Sequence, residues 1–111
     1  GWRGRSHSLG IADAVTVLAP SSACADAAAT MIANNVNIEY PGIIRKPASD
    51  VKDDSDLGLL PVTVGVPLLP EKEVSRALQN GAELAKALIR VEKIQSAYLS
   101  MQEQTLIVEN S

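Results

Sequence analysis

Residues 12–30 read ADAVTVLAPSSACADAAAT and decide the fold, because they join a strand pattern directly to a helix pattern. The β-branched residues within 11–19 predict a buried strand. Pro20 ends that strand, and a serine N-cap before an alanine-rich segment predicts a helix from about Ser22 to Asn34. A strand followed at once by a helix is typical of domains that mix helices with a sheet.

The C-terminal half adds four predicted elements. PVTVGV at residues 61–66 has the composition of a strand. Apolar residues recur at helical spacing over 70–90. Residues 97–101 and 105–108 are predicted as two strands of an antiparallel hairpin. The order β-α-β-α-β-β predicts an α+β fold, with helices packed on one mainly antiparallel or mixed sheet.

A length of 111 residues allows one hydrophobic core. Residues 1–10, GWRGRSHSLG, are predicted as a Gly/Arg-rich loop, and residues 38–59 as a long surface loop. The chain begins at Gly1 inside this loop, and not at a strand or helix pattern. Two interpretations therefore stay open: a single domain spanning residues 1–111, or the C-terminal part of a larger domain.

Composition excludes several classes of partner. Ten basic against thirteen acidic residues give a net charge of −3, which argues against nucleic acid. No apolar run approaches the roughly 20 residues that cross a bilayer, so we expect no membrane partner. A single cysteine, Cys24, permits no internal disulfide and fits a cytoplasmic location. One histidine and one cysteine cannot form a Cys/His zinc site within the chain.

The opening loop is a candidate anion site. Arg3 and Arg5 can pair with phosphate oxygens, and the hydroxyls of Ser6 and Ser8 can donate to them. Its glycines let the backbone bend toward a ligand. The alternative is a solvated segment at a chain end.

Asp26 and Thr30 are a candidate metal site. They are four residues apart in the predicted helix, so a carboxylate and a hydroxyl lie on one face and could bind a hard cation such as magnesium. In the alternative, Asp26 interacts with the positive end of its own helix, and Thr30 donates to a carbonyl of the preceding turn.

A family resemblance connects these features. The stretch GWRGRSHSLGIADAVTVLAPSSACADAAATMIANNVN, followed by PVTVGVPLL and EVSRALQNGAELA, resembles a bacterial and archaeal family of the ApbE superfamily, which contains the FAD:protein FMN transferases. The resemblance implies an ApbE-like fold and a flavin nucleotide, FAD or FMN, as ligand. It also implies magnesium bound by Asp26 and Thr30. The family's N-terminal half, in the same or another chain, is then an expected partner, and we expect a homo-oligomer.

The same resemblance bears on catalysis. The transferases carry a His-x-x-Asp-Pro-x-Thr-Gly segment before the strand, and the corresponding residues here are His7, Ser8, Leu9 and Gly10. The resemblance therefore implies an FMN transferase-like enzyme in which His7 acts as acid or base. The absent Asp-Pro element favours the alternative, a non-catalytic binding or assembly module that keeps the fold without transferase activity.

Overall fold

The computed structural model describes residues 2, 8–48 and 60–110. The described residues form five strands and two helices, and the predicted α+β class is confirmed. In chain order the elements are β1 (Ala14–Leu18), α1 (Ser22–Asn35), β2 (Ile44–Pro47), β3 (Pro61–Gly65), α2 (Glu71–Arg90), β4 (Ser96–Met101) and β5 (Gln104–Glu109).

The larger sheet has the strand order β1-β4-β5, with both pairs antiparallel. Alternate residues of β4 point to opposite faces, so Leu99 is fully buried and the neighbouring Tyr98 is exposed. Both helices contribute to the core on the Leu99 side. Their close approach depends on Gly81 of α2, where an added Cβ would lie 2.3 Å from Val36 Cγ2 and 3.0 Å from Leu99 Cδ2.

The smaller sheet pairs β2 with β3 in antiparallel register. We expected a single sheet and a loop over residues 38–59; instead the described strands form two sheets, and β2 lies inside that range. Strand β2 has only four residues and ends in Pro47, which weakens its sequence signal. Proline is nevertheless tolerated at the end of an edge strand. Residues 49–59 lie outside the described part of the chain.

The turn between β4 and β5 connects the hairpin to the segment that follows β3. Gln102 and Glu103 have φ angles of 44° and 69°, the arrangement of a two-residue type I′ hairpin turn. The Gln102 side chain accepts a hydrogen bond from Leu69 N and donates one to Pro67 O, each at 2.8 Å. The Gln102 amide thus connects the β4–β5 turn of the larger sheet to the segment that follows β3 of the smaller sheet.

Candidate functional site

A cleft of about 440 Å³ opens between the C-terminal end of α1 and the β2–β3 sheet. Asparagines of the last turn of α1 and of the residues just after it form one wall, and residues of the two short strands form another. The lining residues are Leu9, Asn34, Asn35, Asn37, Glu39, Arg45 and Pro61.

The end of the opening loop is fixed against α1 beside this cleft. Leu9 N donates to Asn34 Oδ1 at 3.1 Å, and Ile11 N donates to Val36 O at 2.8 Å. Gly10 permits this approach, because a Cβ at that position would lie only 2.0 Å from the main-chain oxygen of Ala33. The segment therefore forms a fixed edge of the cleft.

Hydrogen bonds orient two of the asparagine amides. Asn34 Oδ1 accepts from Leu9 N, while Asn37 Oδ1 accepts from Ile38 N at 3.0 Å and from Arg45 Nη2. The oxygen of each amide thus accepts hydrogen bonds from the protein itself, and the NH₂ group of each amide is the end that can still donate to a ligand. These two amides therefore present donors rather than acceptors to the cleft.

Among the described residues that line the cleft, the charged ones are Arg45 and Glu39. The guanidinium of Arg45 has five N–H donors and uses Nη2 to bond Asn37, so it keeps further donors for an oxyanion. The Glu39 carboxylate can only accept. Together they suit a ligand that carries both an oxyanion and a hydroxyl or amino donor.

Of the predicted phosphate-binding residues, Ser8 is the one that the structure describes. It is buried next to the cleft: its main-chain oxygen accepts from Thr63 N at 2.8 Å, and its Oγ accepts from Gly10 N at 3.2 Å. Its hydroxyl therefore supports the turn that brings Leu9 to the cleft. Arg3, Arg5, Ser6 and the proposed acid or base His7 lie outside the described residues, and their roles stay predictions.

The predicted metal pair lies on the exposed side of α1. The Thr30 hydroxyl donates to the main-chain oxygen of Asp26 at 3.0 Å, which is the bond expected if Thr30 only supports its own helix. Asp26 precedes Asn34 by eight residues, or about 12 Å along the helix axis. Within 8–48 and 60–110 no group of three or more His, Cys, Asp or Glu side chains could hold a metal ion. Magnesium at this pair stays a prediction.

The residues that line the cleft are not among the site residues predicted from the sequence. Asparagines are common where a helix ends, so Asn34, Asn35 and Asn37 carry no clear binding signal. Arg45 lies in a range interpreted as loop. Three asparagines within four positions, followed by an arginine in a short β-branched run, are the signal that could have indicated a polar cleft.

A second surface feature is the outer face of the larger sheet. Tyr98 stands opposite Thr16 on one side and Ile107 on the other, and Leu18 lies diagonally from Tyr98. The side chains of Leu18, Tyr98 and Ile107 are exposed.

The homo-oligomer and the N-terminal-half partner stay predictions. None of the described helices is both long enough and apolar enough to span a bilayer.

Comparison with known families decides the relationship of the chain. The model of a family described as AbpE bacteria matches residues 1–107. The chain belongs to the AbpE bacteria family. This family is distinct from the ApbE family of FAD:protein FMN transferases, so the predicted ApbE membership is wrong. No curated protein and no solved structure matches the chain.

Membership of the AbpE bacteria family also removes the basis of the flavin prediction. FAD or FMN, an FMN transferase-like activity and the role of His7 came from the ApbE resemblance alone, and they stay predictions without that support. The Asp-x-x-x-Thr motif within that resemblance is short. An aspartate four residues before a threonine fits many alanine-rich helices, whatever the family.

Proposed function

We propose that the cleft between α1 and the β2–β3 sheet binds a phosphate-containing ligand. The observation that carries the proposal is the orientation of Asn34 and Asn37, whose amide oxygens accept protein hydrogens beside the guanidinium of Arg45. Amide NH₂ groups and a guanidinium around one cleft form a set of donors, and phosphate oxygens accept several such bonds at once.

The ligand class follows from Glu39, which lines the same cleft. A carboxylate repels any phosphate group, but it accepts a hydrogen bond from a hydroxyl group placed away from that phosphate. A phosphate ester with a hydroxyl group therefore fits better than inorganic phosphate. The ester's phosphate pairs with Arg45 and the asparagine amides, and its hydroxyl donates to Glu39.

The opening loop supplies further positive charge in this proposal. Ser8 and Leu9 are fixed at the cleft, and Arg5 and Arg3 precede Ser8 by three and five residues. Five residues span at most roughly 18 Å, so both arginines are within chain reach of a phosphate bound there. This assignment keeps Arg3, Arg5, Ser6 and Ser8 as the phosphate-binding residues predicted from the sequence.

The test is calorimetric titration of the chain with ribose 5-phosphate, a small ester that carries hydroxyl groups. Arg45→Gln should weaken binding about tenfold or more, because a hydrogen bond between charged groups is lost. Lys46→Gln is the matched control. It removes the same charge from the next residue of β2, whose exposed side chain points to the opposite face of the strand.

Equal losses of affinity in Arg45→Gln and Lys46→Gln would show that binding depends on net charge and not on Arg45, which would overturn the proposal. An absence of binding by the unmodified chain would overturn it as well. A repeat with magnesium present, using the unmodified chain and Asp26→Ala, tests the metal prediction separately. A magnesium-dependent gain that Asp26→Ala abolishes would confirm the metal pair.

A further inference from the structure

One buried hydroxyl near the cleft lacks a hydrogen-bond partner. Thr63 of β3 is 4% exposed, and its main-chain N–H donates to Ser8 O. Its Oγ1 is the single buried side-chain N or O atom without a partner among the residues that the structure describes. Such an atom lowers stability, because it gives up its bonds to water and gains none from the protein.

Thr63 lies on the face of the small sheet that carries the cleft. It is the direct cross-strand partner of Arg45, and directly opposed residues of an antiparallel pair point to the same face. Pro61 is two residues earlier in β3 and shares that face. Both Arg45 and Pro61 line the cleft. Thr63 itself is not a lining residue, so its unsatisfied hydroxyl is buried on the same strand face as the group proposed to hold the ligand's oxyanion.

We propose that Thr63 is a specificity-determining residue of the cleft, whose hydroxyl donates a hydrogen bond to an oxygen of the phosphate group held by Arg45. The inference rests on the proposed function and adds to it the residue that recognises the phosphate from within the small sheet. Ligand binding satisfies Oγ1, so the hydroxyl lowers the stability of the free protein and stabilises the complex. Those two effects have opposite signs.

The opposite signs make the inference testable with two substitutions. Thr63→Val keeps the shape of the side chain and removes the hydroxyl. It should raise the midpoint of thermal unfolding and weaken ribose 5-phosphate binding about tenfold, the loss expected for a hydrogen bond to a charged group. Thr63→Ser keeps the hydroxyl and loses a methyl group. It should lower the midpoint while its affinity stays within about threefold of the unmodified chain.

Each result separates the inference from the proposal on which it rests. If Thr63→Val binds as tightly as the unmodified chain while Arg45→Gln binds weakly, the role of Thr63 is overturned and the cleft survives. A lower unfolding midpoint in Thr63→Val would show that the hydroxyl has a protein partner, which also overturns the inference. If the unmodified chain binds no ribose 5-phosphate, both proposals fail together.

Discussion

The two sheets of this chain are stabilised in different ways. The larger sheet has a central strand, β4, with a neighbour on each side and two helices packed on one face. The smaller sheet is a single pair, and the main chain of Ser8 adds one hydrogen bond to it at Thr63. A two-stranded sheet is marginal by itself. The β2–β3 pair therefore depends on contacts beyond its own ladder.

The difference coincides with the location of the candidate site. The larger sheet and its helices form the packed layer, and the cleft lies where α1 ends and meets the small sheet. Arg45 and Thr63 are cross-strand partners in that small sheet. A binding site on short strands beside a packed helix layer can vary in sequence at small cost to the core.

The largest expected effect tests the packed face of the larger sheet. Leu99→Ala should lower the free energy of unfolding by about 2–5 kcal/mol, because a fully buried side chain in the central strand leaves a cavity against α2. Ile107→Ala is the control on the outer face, where the side chain is 63% exposed, and should cost about 0.5 kcal/mol. Urea denaturation measures both. Similar losses would show that the outer face is also covered.

A smaller effect tests how the opening segment is held beside the small sheet. Gly10→Ala should lower the free energy of unfolding by about 1–3 kcal/mol, because its Cβ would lie 2.0 Å from a main-chain oxygen that cannot rotate away. It should also weaken ribose 5-phosphate binding, since Leu9 would be displaced from the cleft.

Gly65→Ala provides the matched control in β3. Its added Cβ would meet the nearest atoms, in Ile44, at 3.5 Å, an ordinary contact. We expect no loss of stability and a gain of up to about 1 kcal/mol, since glycine weakens a strand. Thermal unfolding compares the two variants, and a Gly10→Ala protein as stable as Gly65→Ala would contradict the fixed segment.

The sequence predicts the larger sheet better than the smaller one, for physical reasons. Helical periodicity identifies α2, a serine cap and alanine content identify α1, and two short strand patterns identify the β4–β5 hairpin, all within one or two residues of the observed bounds. Strand β2 has four residues and a terminal proline, too short for a period to show. The cleft depends on pairing between β2 and the distant β3, which no local pattern encodes.

The candidate site shows the same limit. The sequence predicts a phosphate-binding hydroxyl at Ser8, and in the structure that hydroxyl accepts a hydrogen bond from Gly10 N and shapes the turn. The amide donors of the cleft belong to Asn34 and Asn37, residues whose position at the end of a helix explains them without any ligand. Spacing along a helix correctly places Asp26 and Thr30 on one face, but it cannot say whether a cation joins them.

The smallest expected effect concerns the turn that connects the larger sheet to the chain after the smaller one. Glu103 has a φ of 69°, in the left-handed region. A residue with a Cβ atom is destabilised there by steric contacts, which glycine does not make. Glu103→Gly should therefore raise the free energy of unfolding by about 0.5–1 kcal/mol. Gln102→Gly removes a similar conformational cost at φ 44° but also both bonds to Leu69 and Pro67.

Because a hydrogen bond contributes about 1 kcal/mol, Gln102→Gly should be destabilising by roughly 1 kcal/mol despite the relieved backbone. Urea denaturation of the two glycine variants compares them at neighbouring positions of one turn. If both stabilise the chain equally, the Gln102 amide does not join the two regions, and the small sheet is held by other contacts. A gain at Glu103 with a loss at Gln102 shows instead that this one side chain couples the packed layer to the segment leaving β3.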